Sequence, residues 1–381
     1  MRSVLLTNMY ADLGGGELCL LAHARHLRAR GIEVHVGLLE AGRLEGELRA
    51  VGASVFVLQY AWQDSRWRRV RLIASRVAAF AREIRSRGVD VVIAYTFDDF
   101  VLAGAAARLT GRPVVLRAQG ELVRQGRPPA QTWLGRLLWP FMRFVRPTIV
   151  CTTAGEAQRL AQAALPARRI THVFLGADAD AGGSEPAEPL PPASRAPVAA
   201  IFGRLVRWKG QDVFVKALAL LARRGVEVEG WVVGGSSFGD GEAYETELRE
   251  LAREGGIEDR VHLLGFRRDV AALMQRCDVV CHASQFEPFG MVIIEAMMAG
   301  KPVVASDVSG PKESVVDGET GRLVSPGSPE ALADALAELL ADASLRQRMG
   351  EAGRRRAREH FDLEKNLRAL DAEIEGAMRV R

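Results

Sequence analysis

Short apolar runs alternate along this chain with longer stretches whose apolar positions recur every three or four residues. Ser3 to Thr7, Glu33 to Leu38, Val55 to Leu58, Val89 to Ala94, Val114 to Arg117 and Thr148 to Cys151 read as strands, whereas Glu17 to Arg30 and Val70 to Arg87 read as helices. Strands that are apolar throughout are buried on both faces, and strands spaced by helices imply a parallel, doubly wound sheet. The rhythm stops between Ala179 and Pro197, a stretch dense in Ala, Gly, Ser, Glu and Pro without an apolar period, which reads as an interdomain linker. It then restarts, with strands at Val198 to Phe202, Val228 to Val233, Val261 to Leu264, Val279 to His282, Val303 to Ala305 and Gly321 to Val324, and helices such as Gln211 to Arg224 between them. A final amphipathic helix, Asp362 to Met378, follows the second alternation and is able to cross back onto the first.

The expected fold class is therefore α/β, with two Rossmann-like domains whose parallel sheets face each other across a cleft and present ligands at the carboxyl ends of their strands. The domains are expected at residues 1–178, joined by the terminal helix 362–381, and at 198–361, with 179–197 between them. A length of 381 residues, 48% hydrophobic and 26% charged, is enough for two cores of ordinary size. The first residues lack a basic head followed by an apolar block and cleavage site, and no run of 18 apolar residues occurs, so a soluble, cytoplasmic protein is expected. Cys19, Cys151, Cys277 and Cys281 sit in apolar contexts that suit buried free thiols better than a disulfide or zinc knuckle.

The net charge of +4 conceals an asymmetry. Residues 1–178 carry 25 Lys+Arg against 14 Asp+Glu, a net of +11, which leaves −7 for the rest. A basic domain suits nucleic acid, but no recognition module or basic sheet interleaved with aromatics is legible, so nucleic acid is not an expected partner.

The candidate chemistry lies in Glu287-Pro-Phe-Gly-Met-Val-Ile-Ile-Glu295. Glu287 is expected in the loop after a strand and Glu295 one to two turns inside the following helix. Between them the N–H groups of Phe289, Gly290 and Met291 open a helix N-terminus, where unpaired donors and the macrodipole favour a diphosphate. The anion would go to the amides and leave both carboxylates free to accept from hydroxyls. Glu295 is also surrounded by apolar residues, where a carboxylate is costly unless something pairs with it. Arg204 and Lys209 follow another predicted strand end; a guanidinium fork can grip two phosphate oxygens, and an ammonium supplies a point charge where a leaving group turns negative.

Several motifs in order then resemble one family, the retaining glycosyltransferases of family 4, with the GT-B fold. Gly14-Gly15-Gly16-Glu17 after the first strand is similar to that family's glycine loop, and Val173-Phe-Leu-Gly176-Ala-Asp178 to the segment that closes its first domain. Phe202-Gly-Arg204-Leu-Val-Arg-Trp-Lys209-Gly210 resembles its Arg and Lys pair, and Glu287 with Glu295 its two-glutamate signature. The resemblance implies transfer of a sugar from a nucleotide diphosphate sugar to an acceptor hydroxyl with retention of configuration, by same-face attack without a protein nucleophile. A UDP-sugar is the favoured donor, with GDP- or ADP-sugar as alternatives, and no separate cofactor or metal is implied. It further implies that Glu295 binds the ribose hydroxyls, that Glu287 lies against the donor sugar, and that the amides of Phe289, Gly290 and Met291 meet the sugar and diphosphate. The backbone at Arg267 and Arg268 would receive the base, and the Gly15 and Gly16 amides would approach the diphosphate from the other domain as the cleft closes.

Two departures stand out. Many relatives carry a histidine in the loop after the strand at Val114, whereas this chain has Arg117-Ala-Gln119-Gly120-Glu121, so Gln119 occupies that place and cannot take a proton. Glu121, Asp98 and Asp99 are the remaining candidates on the acceptor or sugar side. Leu175 replaces the usual asparagine before Gly176. Asp178-Ala-Asp180 spells Asp-x-Asp, but in the linker, where no metal site is expected.

The acceptor is expected against the first domain: a sugar, a lipid-linked molecule or a small molecule. Trp62 to Arg69 and Trp133 to Phe144 interleave arginine with aromatic and aliphatic groups, which suits either a helix with a wet basic face or peripheral docking on an anionic membrane surface. Two rival functions fit less well. A nicotinamide-dependent dehydrogenase would need a third small residue after Gly14-x-Gly16 and an acid closing the second strand; a non-catalytic sugar-nucleotide sensor with the same fold is the alternative that the Gln119 loop permits.

Overall fold

A computed structural model describes residues 1–59, 66–120, 133–178, 185–191, 194–235 and 241–379. Contacts divide the chain into two compact units, Met1–Leu175 with Glu364–Arg381, and Gly176–Leu363.

The first unit holds a parallel sheet of seven strands: β1 (Ser3–Asn8), β2 (Glu33–Leu38), β3 (Ser54–Val57), β4 (Val91–Ala94), β5 (Val114–Ala118), β6 (Thr148–Cys151) and β7 (Arg169–His172), in the order β3-β2-β1-β4-β5-β6-β7. β1 pairs Val4 with Val34 on one side and with Val91 on the other. Because side chains alternate across a strand, Val4 and Leu6 face one core, whereas Leu5 faces the other with Phe80 and Phe100. Burial on both faces explains why the central strands lack polar alternation. β7 escaped the hydrophobic reading because it is an edge strand of Arg169, Ile170, Thr171 and His172, none fully buried.

The terminal helix Leu363–Arg379 belongs to the first unit from Glu364 onward. Leu370, Ile374 and Ala377 enter the same core as Val4 and Leu6. Asp371, 3% exposed, fastens it: it accepts from His23 over 3.3 Å and His26 over 3.0 Å, and it pairs with Arg30. A buried carboxylate with this many cationic or hydrogen-bonding partners avoids the cost of an unpaired charge.

The second unit has six parallel strands: β8 (Val198–Phe202), β9 (Glu229–Val233), β10 (Val261–Gly265), β11 (Val279–His282), β12 (Val303–Ser306) and β13 (Gly321–Val324), in the order β10-β9-β8-β11-β12-β13. The order runs outward from β8 in one direction and from β11 in the other. The crevice between β8 and β11 is the topological switch point, where sheets of this kind bind ligands. In the first unit the corresponding point lies between β1 and β4.

Residues 185–191 are fastened to the second unit instead of running free. Ala187 N–H donates to Asp269, and the Arg267 guanidinium donates to the carbonyls of Glu188 and Pro189. This anchoring is polar and acts on backbone, so the apolar pattern carried no trace of it. Asp180, Glu121 and Trp62 lie outside the described residues. Arg66 to Arg69 and Trp133 to Arg136 fall in the helices Arg66–Ser86 and Trp133–Val145. No helix among the described residues is long and apolar enough to cross a membrane.

Candidate active site

The loops after β8 and β11 are stitched together by backbone. Arg207–Lys209 forms one turn of 3-10 helix ending at Gly210, which is left-handed with φ +74°. A Cβ on Gly210 would sit 2.2 Å from the Ala283 carbonyl oxygen, so only glycine lets the two loops approach this closely. Gln285 N–H donates to the Trp208 carbonyl over 2.8 Å. These contacts bring Lys209 to Glu287, 78 residues apart in sequence, with Lys209 Nζ donating to Glu287 Oε2 over 2.5 Å. The ammonium also lies 4.4 Å from the Trp208 ring centroid, a cation–π contact on its other flank.

Glu287 was expected to keep its carboxylate free. Instead, Oε2 is taken by Lys209 and by His282, whose Nε2 lies 3.1 Å away. Burial by itself would raise the Glu287 pKa; the His282 hydrogen bond and then the Lys209 charge outweigh it and bring it down to about 2. Glu287 is therefore an anion at neutral pH and cannot serve as a proton donor to a leaving group. Oε1 accepts from no described residue.

Glu287 leads into Phe289, Gly290 and the helix Met291–Met298. Gly290 is left-handed, φ +92°, and caps this helix without a side-chain bond. Phe289 is 3% exposed, edge-on to Phe361, and its backbone leaves no room for a Cβ on Gly310. The first N–H groups of a helix have no intrahelical acceptor, so this N-terminus, at the carboxyl end of β11, offers donors to an anion. Glu295 lies one turn inside the helix, half-buried, and burial raises its pKa; no described residue pairs with it. Arg204 is exposed, and no described residue takes its guanidinium, while its carbonyl accepts from Gln211. The structure thus joins Lys209 with Glu287 and leaves Arg204 and Glu295 without partners among the described residues.

The other sequence candidates fall out differently. Arg267 is buried and structural: it donates to Asp269 and to the 188–189 backbone, and it holds the Asp269 carboxyl far below the usual range. Arg268 is exposed beside it. In the first unit, Gly15 and Gly16 are the first residues of the helix Gly15–Ala29, which begins just after β1 without a side-chain cap. Space over Gly15 is open, whereas a Cβ on Gly16 would meet Gln119 Oε1 at 2.6 Å. Gln119 therefore reaches the glycine loop, with its Nε2 buried and unpartnered among the described residues.

Asp99 lies at the start of the helix that follows β4. It is fully buried as the capping-box partner of Thr96, and it also accepts from Thr7 over 2.5 Å. Burial raises its pKa to about 7 despite these bonds. Asp98, one position earlier, is exposed. His282 and Ser284 were missed by sequence reasoning; the available signal was a histidine closing an otherwise apolar strand five residues before Glu287.

Two units, each with a doubly wound parallel sheet, mark the GT-B class of fold. The profile of Glycosyl transferases group 1 matches residues 187–356 and that of Glycosyltransferase Family 4 matches residues 13–181. The chain belongs to this glycosyltransferase family. It is 41% identical over 158 residues to a D-inositol 3-phosphate glycosyltransferase of Corynebacterium glutamicum, covering 40% of this chain and 37% of that protein. It is 30% identical over 274 residues to the alpha-D-kanosaminyltransferase of Streptomyces kanamyceticus, covering 65% and 68%. Its alignments with such relatives thus span between about a third and two thirds of their length. The crystal structure of Anabaena Alr3699/HepE in complex with UDP and glucose superposes with a TM-score of 0.82 at 26% identity, covering 99% of this chain and 100% of that one.

Proposed function

We propose that this chain is a retaining glycosyltransferase that moves a sugar from a nucleotide diphosphate sugar, with UDP-sugar favoured, to an acceptor hydroxyl in cell-surface polysaccharide, glycolipid or glycosylated metabolite synthesis. The observation that carries it is the meeting of Lys209 with Glu287 at the β8/β11 switch point, beside a helix N-terminus and with Arg204 unpaired among the described residues. A departing diphosphate gains negative charge as its bond to the sugar breaks, and fixed cations and amides placed there stabilise that change without reorganising. Lys209 and Arg204 serve the diphosphate, and the amides of Phe289, Gly290 and Met291 complete its cradle.

Glu287 Oε1 accepts from a hydroxyl of the donor sugar. Glu295, raised by burial and without a partner among the described residues, gains from accepting the two ribose hydroxyls. The backbone at Arg267 and Arg268 receives the base. Because Glu287 is anionic and bound by two donors, it supports charge stabilisation over acid catalysis, which agrees with same-face attack. The complex of the Anabaena protein with UDP and glucose supports UDP as the nucleotide.

A thermal-shift panel of UDP, GDP and ADP tests the donor. The matching nucleotide at 100 times its dissociation constant stabilises the chain by about 2.7 kcal/mol. NMR of the product then reads the anomeric configuration; an inverted product overturns the retaining assignment, and no shift with any nucleotide overturns the activity.

A further inference from the structure

His282 closes β11, is 3% exposed, and has two neighbours at one nitrogen: Glu287 Oε2 and Ser284 Oγ, each 3.1 Å from Nε2. Its Nδ1 is buried and has no hydrogen-bond partner among the described residues. A ring proton on Nδ1 would be a buried donor without an acceptor, and a bare Nε2 would turn its lone pair on the Glu287 carboxylate. Placing the proton on Nε2 removes both penalties, so His282 donates to Glu287.

Lys209 donates to the same oxygen, but the two donors differ in freedom. The lysine side chain is 20% exposed, ends a flexible stem and rests on the exposed Trp208 ring. The histidine ring is enclosed at a strand end and cannot move away. A diphosphate bound at the neighbouring helix N-terminus presents more negative charge than one carboxylate and competes for the ammonium. Once Lys209 turns to it, Glu287 would be a buried anion with one donor left.

We propose that His282 is the positioning residue that holds the Glu287 carboxylate in place while Lys209 transfers its ammonium from that carboxylate to the donor diphosphate. The inference rests on the nucleotide-sugar reading of this site and adds to it an exchange of partners, with His282 as the fixed one. Ser284 takes a lesser part, since its hydroxyl bonds His282 Nε2 and not the carboxylate.

The test compares His282→Leu, which keeps apolar volume and removes the donor, with His282→Gln, whose amide N–H reaches close to the Nε2 position. Release of the nucleoside diphosphate, UDP or GDP, is followed from the most active of UDP-glucose, UDP-galactose and GDP-mannose, with water as acceptor, and binding of the free nucleotide is measured by calorimetry. For His282→Leu we expect kcat to fall about 10- to 100-fold, the rate equivalent of one hydrogen bond to a charged group. KM and the nucleotide dissociation constant should stay within about threefold, because nucleotide contacts are untouched. His282→Gln should recover all but about fivefold of kcat. Unchanged turnover in His282→Leu overturns the inference alone; so does a glutamine variant as slow as the leucine one, or nucleotide binding lost in both, which would mark a structural role. A wild-type protein that binds and turns over none of these donors removes the functional reading as well.

Discussion

Replacing Lys209 with methionine, similar in length but uncharged, leaves Glu287 with His282 as its remaining donor. The depression of Glu287 from 4.5 to about 2 is equivalent to about 3 kcal/mol of stability at neutral pH. That depression survives burial, the largest single influence and opposite in sign, so removing one of the two donors lets burial reassert itself. Breaking a fully enclosed ion pair costs about 3 to 5 kcal/mol. With Lys209 20% and Glu287 11% exposed, water relieves part of this, and Lys209→Met is expected to lose about 2 kcal/mol. Glu287→Gln by itself leaves a lysine that can turn to solvent and should lose about 1 kcal/mol. The double variant, with neither charge, should lose clearly less than the two singles together, a coupling of at least about 1 kcal/mol. The assay is native-state hydrogen exchange of the β8 and β11 amides at pH 7, which reads the second unit separately from the first. Additivity within about 0.3 kcal/mol would show that the pair is a solvated contact and would refute the reasoning.

Other expectations follow from the same geometry. Because the folded Glu287 pKa lies below its unfolded value, its contribution is complete above about pH 5 and drains as the pH falls toward 2; the exchange stability of wild type over Glu287→Gln should shrink by more than half between pH 6 and pH 3, and a constant gap would contradict the assignment. Glu295 has the opposite sign, since a carboxyl whose pKa burial raises costs stability above its unfolded pKa. Glu295→Gln should therefore melt higher than wild type at pH 7 yet bind UDP at least about tenfold more weakly, the loss of one hydrogen bond to a charged group; a variant that binds UDP normally would remove Glu295 from the site. Gly210→Ala, strained at φ +74° and 2.2 Å from the Ala283 carbonyl, should lose more than about 2 kcal/mol together with UDP release, since both loops must part. Asp99→Asn should leave kcat unchanged, because this carboxyl is fully buried in the capping box of Thr96; a large kcat loss at unchanged stability would place Asp99 in the active site.

The periodicities of the chain determine the two alternations of strand and helix, because a strand buried on both faces must be apolar throughout and its covering helices must show one apolar stripe. They also place Lys209, Glu287 and Glu295 after strand ends, since loops carry the polar residues that cores exclude. They do not tell of β7, an edge strand whose pairing is carried by backbone hydrogen bonds between polar residues, nor of the 185–191 segment, which is held by the Arg267 guanidinium. The tertiary structure alone decides that β8 lies beside β11, pairing Ala199 with Val279, and so that Lys209 and His282 meet at one oxygen of Glu287. It also decides that Asp99 is the capping-box partner of Thr96 while Glu295 has no partner among the described residues. Two carboxylates that look alike in sequence differ in what surrounds them, and surroundings are set by contacts distant in sequence that no local pattern encodes.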